Sequence, residues 1–285
     1  IGFSINQLNK TMKKTNLLLV SATLFCSHFS FAQTFIGKDA ESKIQDAKLI
    51  EYSENLIRPR FIEFKSSPSN FRMAVSNPLQ AMRDVLALKS TDDLVSYKQE
   101  HDDIGFTHTR YYQTYKNIHV EGGEYIAHQK DGVLDCINGE FFTLGDISVS
   151  PSLTEAAALS KAISFVGATK YKWENKAELA QLREAFGDPT YNYDPTGELV
   201  IYPKNNQMTD KGDFRLAYKF NIYAELPESR AYIFVDAKSG EILGRQELIH
   251  TADVEGKAKT KYSGEQKIMT TLKSPGNYVL QETGR

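Results

Sequence analysis

Six histidines, two cysteines and a pair of glutamates flanking two glycines are the residues here whose types could do chemistry. A zinc peptidase centre needs His-Glu-x-x-His, since two histidines one helical turn apart face one metal and the adjacent Glu activates water. None of His28, His101, His108, His119, His128 and His250 is followed by Glu, and no two are spaced i, i+4. His119 and His128 could meet across a hairpin, but a metal would still need a third ligand. Cys136 sits in an alternating pattern and reads as a small buried hydrophobe rather than a nucleophile. Glu121 and Glu124 read as solvated turn acids, with acid–base work by the pair as the other option. Tyr111, Tyr112 and Tyr115 could stack on sugars or bases, but no basic groove accompanies them. There is no G-x-S-x-G and no phosphate loop. The sequence therefore offers no catalytic residue and no metal-ligand set of its own.

Most of these residues fall in the stretch Gly105 to Phe142. Thr107 to Tyr115 alternates and is rich in Thr and Tyr, the mark of a strand. Turn signals follow at Lys116-Asn117, Gly122-Gly123, Lys130-Asp131-Gly132 and Asn138-Gly139. Asn138-Gly139, between apolar runs, predicts a two-residue hairpin turn with both residues at positive φ. The stretch is thus expected to be a four-stranded antiparallel meander. Before it, Leu79, Met82, Val85 and Leu86 predict a short amphipathic helix over 77–88, with Asn77 as cap and Pro78 in the first turn. Gln33 to Arg60 is polar and mixed and shows no clear element.

After a linker at Ser148 to Pro151, Ser152 and Glu155 fit a capping box. Leu159, Ala162, Ile163 and Val166 then form one helical face. A second helix is predicted over 175–186, ended by Gly187-Asp188-Pro189. Strands follow at 198–202 and over 213–225, where Phe214, Leu216, Tyr218, Phe220 and Ile222 share a face. A hairpin over 231–248 turns at Lys238-Ser239-Gly240. Helices beside an antiparallel sheet predict an α+β fold.

The totals bound the function. With 285 residues, 41% hydrophobic and 25% charged, the chain has an ordinary globular composition with room for two domains. A net charge of −2 gives no footprint for nucleic acid or an anionic membrane. Met12 to Ala32 reads as a secretory signal peptide: Lys13 and Lys14, an apolar run over 17–25, and Ser30-Phe31-Ala32 as the cleavage site, with the cut between Ala32 and Gln33. The apolar run is too short to span a bilayer, so no membrane association is expected after its removal. The leader implies a secreted, extracellular protein, with Cys136 as the one cysteine left and no disulfide within the chain.

The stretch 105–142 resembles the fungalysin/thermolysin propeptide (FTP) motif. Thr107, His108, Arg110, Tyr111, Gln113, Tyr115, Ile118, Val120, Gly122, Gly123 and His128 match it. The region that follows resembles the PepSY domain, whose Tyr-x-x-x-Asp-Ala-x-x-Gly hairpin is met by Tyr232, Asp236, Ala237 and Gly240. Residues 252–271 look like the first strands of a thermolysin-like (bacillolysin-like) peptidase, with Gly256, Tyr262, Ser263 and Gly264 matching.

The resemblance implies a signal peptide over 12–32, an N-terminal propeptide segment over 33–76, an FTP-like meander over 77–147 and a PepSY-like α+β domain over 148–250. The start of a peptidase domain would then occupy 251–285. It places the family's zinc helix beyond Arg285, so zinc and calcium are expected in that missing domain and no cofactor in this chain, which alone should be inactive. The expected partner is the cognate protease domain in cis, which the prosegment helps fold and holds inactive. No nucleic acid partner is expected. Processing is expected in the polar segment at His250, Thr251, Ala252 and Asp253. A free-standing secreted inhibitor or binding module of PepSY type is the alternative, and a sugar-binding β-module a third reading.

Overall fold

The computed structural model describes residues 33–54, 56–65, 78–249, 254–260, 264–274 and 277–279. In the segment that lacked a clear pattern, β1 (Gln33–Ile36), the short helix α1 (Lys38–Lys43), β2 (Ala47–Tyr52) and β3 (Pro59–Phe64) form an antiparallel ribbon. Helix α2 (Pro78–Val85) follows, turning Met82 and nearby Leu86 into the core while Leu79 and Val85 flank them. The meander is β4 (Asp92–His101), β5 (Phe106–Tyr115), β6 (Ile118–Lys130) and β7 (Val133–Glu140), each antiparallel to the next. Strand β4 was not evident in the sequence, because from Val95 onward its side chains are exposed on both faces and no alternation marks it.

Two of the four expected turns are turns. Lys116 and Asn117 both take positive φ, as do Asp131 and Gly132. The other two are not. Gly122 and Gly123 lie inside β6, and Asn138 and Gly139 lie inside β7. Asn138 is paired on both sides, with Ile126 of β6 and Phe61 of β3. Backbone pairing with two neighbours outweighs the tolerance of Asn-Gly for a turn. Gly139 is needed for a different reason: at φ +153° its backbone lies so close to β6 that a Cβ would sit 2.0 Å from the Glu124 carbonyl oxygen.

After an irregular segment over 141–154 comes α3 (Glu155–Val166), then β8 (Lys170–Tyr171), α4 (Lys176–Phe186), β9 (Glu198–Pro203), β10 (Phe214–Leu226), β11 (Ser229–Asp236) and β12 (Ile242–Glu247). The cap of α3 is Thr154, whose hydroxyl accepts from Ala157 N, not Ser152; Glu155 instead accepts from Gly197 N. Ala158 and Ala162 are fully buried, and these small side chains let the helix lie close on the sheet, with Leu159, Ile163 and Val166 flanking. Strands β13 (Val254–Thr260), β14 (Gly264–Ser274) and β15 (Asn277–Val279) form a separate antiparallel sheet.

The main sheet runs β1-β2-β3-β7-β6-β9-β10-β11-β12, with β5 and β4 branching from β6 and β8 from β10. The α+β class expected from the sequence is observed, with a mostly antiparallel sheet. Its one parallel join among the described strands is at β6. Strand β7 pairs with β6 only over 124–130, and the remaining edge takes β9 through His119↔Val200 and Val120↔Ile201. One core cluster lies under β1–β7 with α2. A second combines Tyr115, Val120, Phe142 and Leu144 from the first half with Ala158, Ala162 and the inward face of β10 and β11.

Gly139→Ala should destabilise the fold by about 3 kcal/mol or more, the scale of forced overpacking against fixed backbone. The urea midpoint checks it; an unchanged midpoint would mean that β6 and β7 are not this close.

Candidate functional site

Of the residues matching the propeptide motif, Gln113, Tyr115 and Gly123 fix the segment 141–147 to the meander. Gln113 falls where the β5–β6 register slips, so its side chain is free to leave the ladder. It is fully buried, its Nε2 donates to the Phe142 carbonyl at 2.8 Å, and its Oε1 accepts from Phe142 N at 2.9 Å. The amide thus acts as a strand partner for one residue. Gly123 makes room for it, since a Cβ there would lie 2.5 Å from Gln113 Oε1. The Tyr115 hydroxyl accepts from Ile147 N at 3.2 Å, and Lys116 Nζ reaches Asp146 Oδ1 at 2.8 Å and the Ile147 carbonyl at 3.1 Å. Tyr111 is buried in the first core, while Gly122 takes φ +79° in the bulged part of β6.

The outward face of the meander carries the polar members. His108 and His128 are cross-strand partners with Nδ1 atoms 2.6 Å apart. His108 Nε2 is 3.1 Å from Asp102 Oδ2, and His128 Nε2 is 2.6 Å from Asn138 Oδ1. Arg110 bonds Glu124 at 2.9 Å, and the Tyr97 hydroxyl donates to the same carboxylate. On the opposite face of β5, Thr107 Oγ1 is 2.9 Å from His101 Nδ1. His119 does not meet His128; it packs edge-on to Tyr112, 4.8 Å between centroids, because β6 carries the two histidines nine positions apart along one strand.

Neither glutamate sits at a turn, and Glu121 is withdrawn from solvent while Glu124 stays 40% exposed beside Arg110. With Gly122-Gly123 extended rather than turned, Glu121 points inward and pairs with Lys219 of β10 at 2.6 Å, the two side chains 12% and 15% exposed. Lys219 also lies 4.4 Å from the Tyr232 ring centre. No sequence signal marked Lys219, Asp102 or Asn138 as partners.

At the opposite end of the second half, Asp236 accepts from Lys238 N and Ser239 N, both at 2.8 Å, and from Arg215 Nη1 at 3.3 Å. Burial alone would raise its carboxyl, but the Ser239 and Lys238 N–H groups and Arg215 hold it below the usual carboxylate range. Buried Ala237 accepts at its carbonyl from Ser152 N and Leu153 N, so this turn docks the chain entering α3. Gly240, at φ +76°, donates its N–H to the Asp236 carbonyl and closes the turn.

The chemistry available is that of binding and bracing. Burial, with Asp135 and Glu63 nearby, pushes the Cys136 thiol up to about 12, which keeps it neutral near pH 7. Among the described residues no three His, Cys, Asp or Glu side chains converge as a metal site, and no helix is long and apolar enough to cross a membrane. Gln33 begins β1. Ala32 and the processing residues His250, Thr251, Ala252 and Asp253 lie outside the described residues.

Gln113→Leu should cost about 2–4 kcal/mol, since it strands the N–H and C=O of buried Phe142; the urea midpoint reads this. A second effect is pH-linked. A lowered carboxyl adds stability that is present above the unfolded value of about 3.9 and is lost as pH falls through the folded value. Thermal unfolding of Asp236→Asn should therefore show a flatter decline below about pH 4 than the parent.

The fungalysin/thermolysin propeptide motif matches residues 92–141, the span of β4 to β7. Bacillolysin of Bacillus amyloliquefaciens is 24% identical over 258 residues, covering 90% of this chain and 46% of that protein. Bacillolysin of Bacillus cereus is 27% identical over 263 residues, covering 88% and 42%. The chain thus spans less than half the length of these relatives. Among solved structures, the Bacillus megaterium YpeB C-terminal domain aligns with 76% of this chain and 90% of its own at 13% identity, and its TM-score of 0.33 is too low to define a shared fold. This chain thus carries the fungalysin/thermolysin propeptide motif over residues 92–141, and along most of its length it is similar to bacillolysins.

Proposed function

We propose that this chain is the prosegment of a secreted zinc metalloendopeptidase precursor, acting as intramolecular chaperone and inhibitor of the protease domain that follows it. The observation that carries the reading is the coincidence of the propeptide motif with one complete structural unit, β4 to β7, braced to the rest by its own motif residues. A preformed sheet of this kind can bind a folding partner and stabilise its native state by mass action. On this reading 77–147 is the FTP-like unit and 148–250 the PepSY-like one, with Tyr232, Asp236, Ala237 and Gly240 as its hairpin. Cleavage near His250 to Asp253 frees an enzyme that carries zinc and calcium, the signal peptide having been removed after Ala32.

The chain from Gln33 onward, added to the mature protease domain encoded with it, should slow substrate cleavage in a dose-dependent way and raise the yield of active enzyme on refolding. It should cleave nothing by itself. Failure of the chain both to inhibit the protease domain and to assist its refolding would sink the prosegment reading and favour a free-standing binding module.

A further inference from the structure

The His108–His128 contact has a limited capacity for protons. Each ring's outer nitrogen is committed, His108 Nε2 to Asp102 and His128 Nε2 to Asn138, so the two Nδ1 atoms face each other across 2.6 Å. One proton in that gap makes a hydrogen bond. With none, two lone pairs oppose each other; with two, two N–H groups collide. Asp102 accepts from His108 Nε2–H and Asn138 Oδ1 from His128 Nε2–H, so the gap proton is the third on the two rings and gives the pair one positive charge.

We propose that His108 and His128 form an acid-sensitive clasp, which holds one proton between the rings and opens when a second arrives, loosening the meander at its 102–105 turn. The turn is coupled to the pair through Asp102, whose Oδ1 accepts from Ile104 N and Phe106 N while Oδ2 holds His108. Asp102 is kept below the usual carboxylate range first by the Phe106 N–H, against partial burial, and then by His108.

The charged neighbours of the pair come from every strand around it. On β4, Glu100 stands opposite His108. Arg110 of β5 engages Glu124 and lies 3.9 Å from Glu100. Lys130 of β6 sits over the Phe106 ring, which stacks on His108. Beyond His128, β7 offers neutral Cys136 and Asn138, and Glu63 of β3 is taken by Lys48. His101 is bonded to Thr107, on the other face of the strand.

The sign follows from proton counting. Two imidazoles in the unfolded chain take up two protons through the ordinary range near about pH 6.5. The closed pair has room for one. Below about pH 6.5 the two unfolded rings together bind more than the single extra proton of the closed pair, so stability falls as pH falls there, and above it the sign reverses. The clasp belongs to the meander itself and holds whether or not the chain acts as a prosegment.

The test is urea unfolding of the full chain from pH 7.5 to 5, beside His128→Gln. The parent's folding constant should fall about tenfold per pH unit more steeply than the variant's below pH 6, one proton's worth, since the variant has no second ring facing His108 across the gap. Equal slopes overturn the proposal. So does a slope that disappears when the chain is treated with a chelator, which would put a metal ion between the rings. If His128→Gln does not fold, imidazole nitrogen NMR of the parent decides: a folded state at pH 5 with both rings doubly protonated and still in contact overturns it, and a single shared proton supports it.

Discussion

The whole sheet depends on a seam two residue pairs long. Two antiparallel halves meet where His119 and Val120 of β6 pair in parallel with Val200 and Ile201 of β9. So short a ladder cannot by itself hold register, because a slip by one residue would turn every side chain to the other face. Register is fixed by what lies across the seam. The Glu121–Lys219 pair bridges it at 2.6 Å in a largely buried setting. A buried ion pair adds little net stability, yet any other register would leave two desolvated charges unmatched. Beneath it, Tyr115, Val120 and Phe142 share one core with α3 and β10.

This arrangement gives the motif residues a common purpose. Gln113 and Tyr115 hold the segment leaving β7, with Gly123 making room for the Gln113 amide, so that α3 starts in the right place. The Ala237 carbonyl grips the same segment from its other end, accepting from Ser152 N and Leu153 N. Residues about a hundred positions apart in the sequence thus meet on one connection.

Much of this was legible in the sequence where burial is one-sided. The face of β10 showed as Phe214, Leu216, Tyr218, Phe220 and Ile222, and the helices showed by their periodicity, because one side of each meets a core. The reading failed where local preference and distant partners disagree. Gly122-Gly123 carries no side chain to report direction, and Lys219, 98 residues from Glu121, decides it. Asn138-Gly139 is a good turn locally, but neighbours on both sides hold it extended. Strand β4 is an edge exposed on both faces, so no alternation was imposed on it. The His108–His128 contact needed the strand register, which spacing along one chain does not reveal.

The seam also sets an order of events during synthesis. The meander closes through neighbouring strands joined by short turns, contacts that form quickly because little chain must be searched. Strand β9 reaches β6 only after about eighty further residues have been made. Until then the Ile118–Gly123 edge of β6 stands open beside a finished platform, an unpaired ladder of the sort that invites wrong partners. A chain that emerges N-terminus first therefore passes through a stage with one complete half and one waiting edge, and the speed with which β9 arrives decides whether that edge is filled from within.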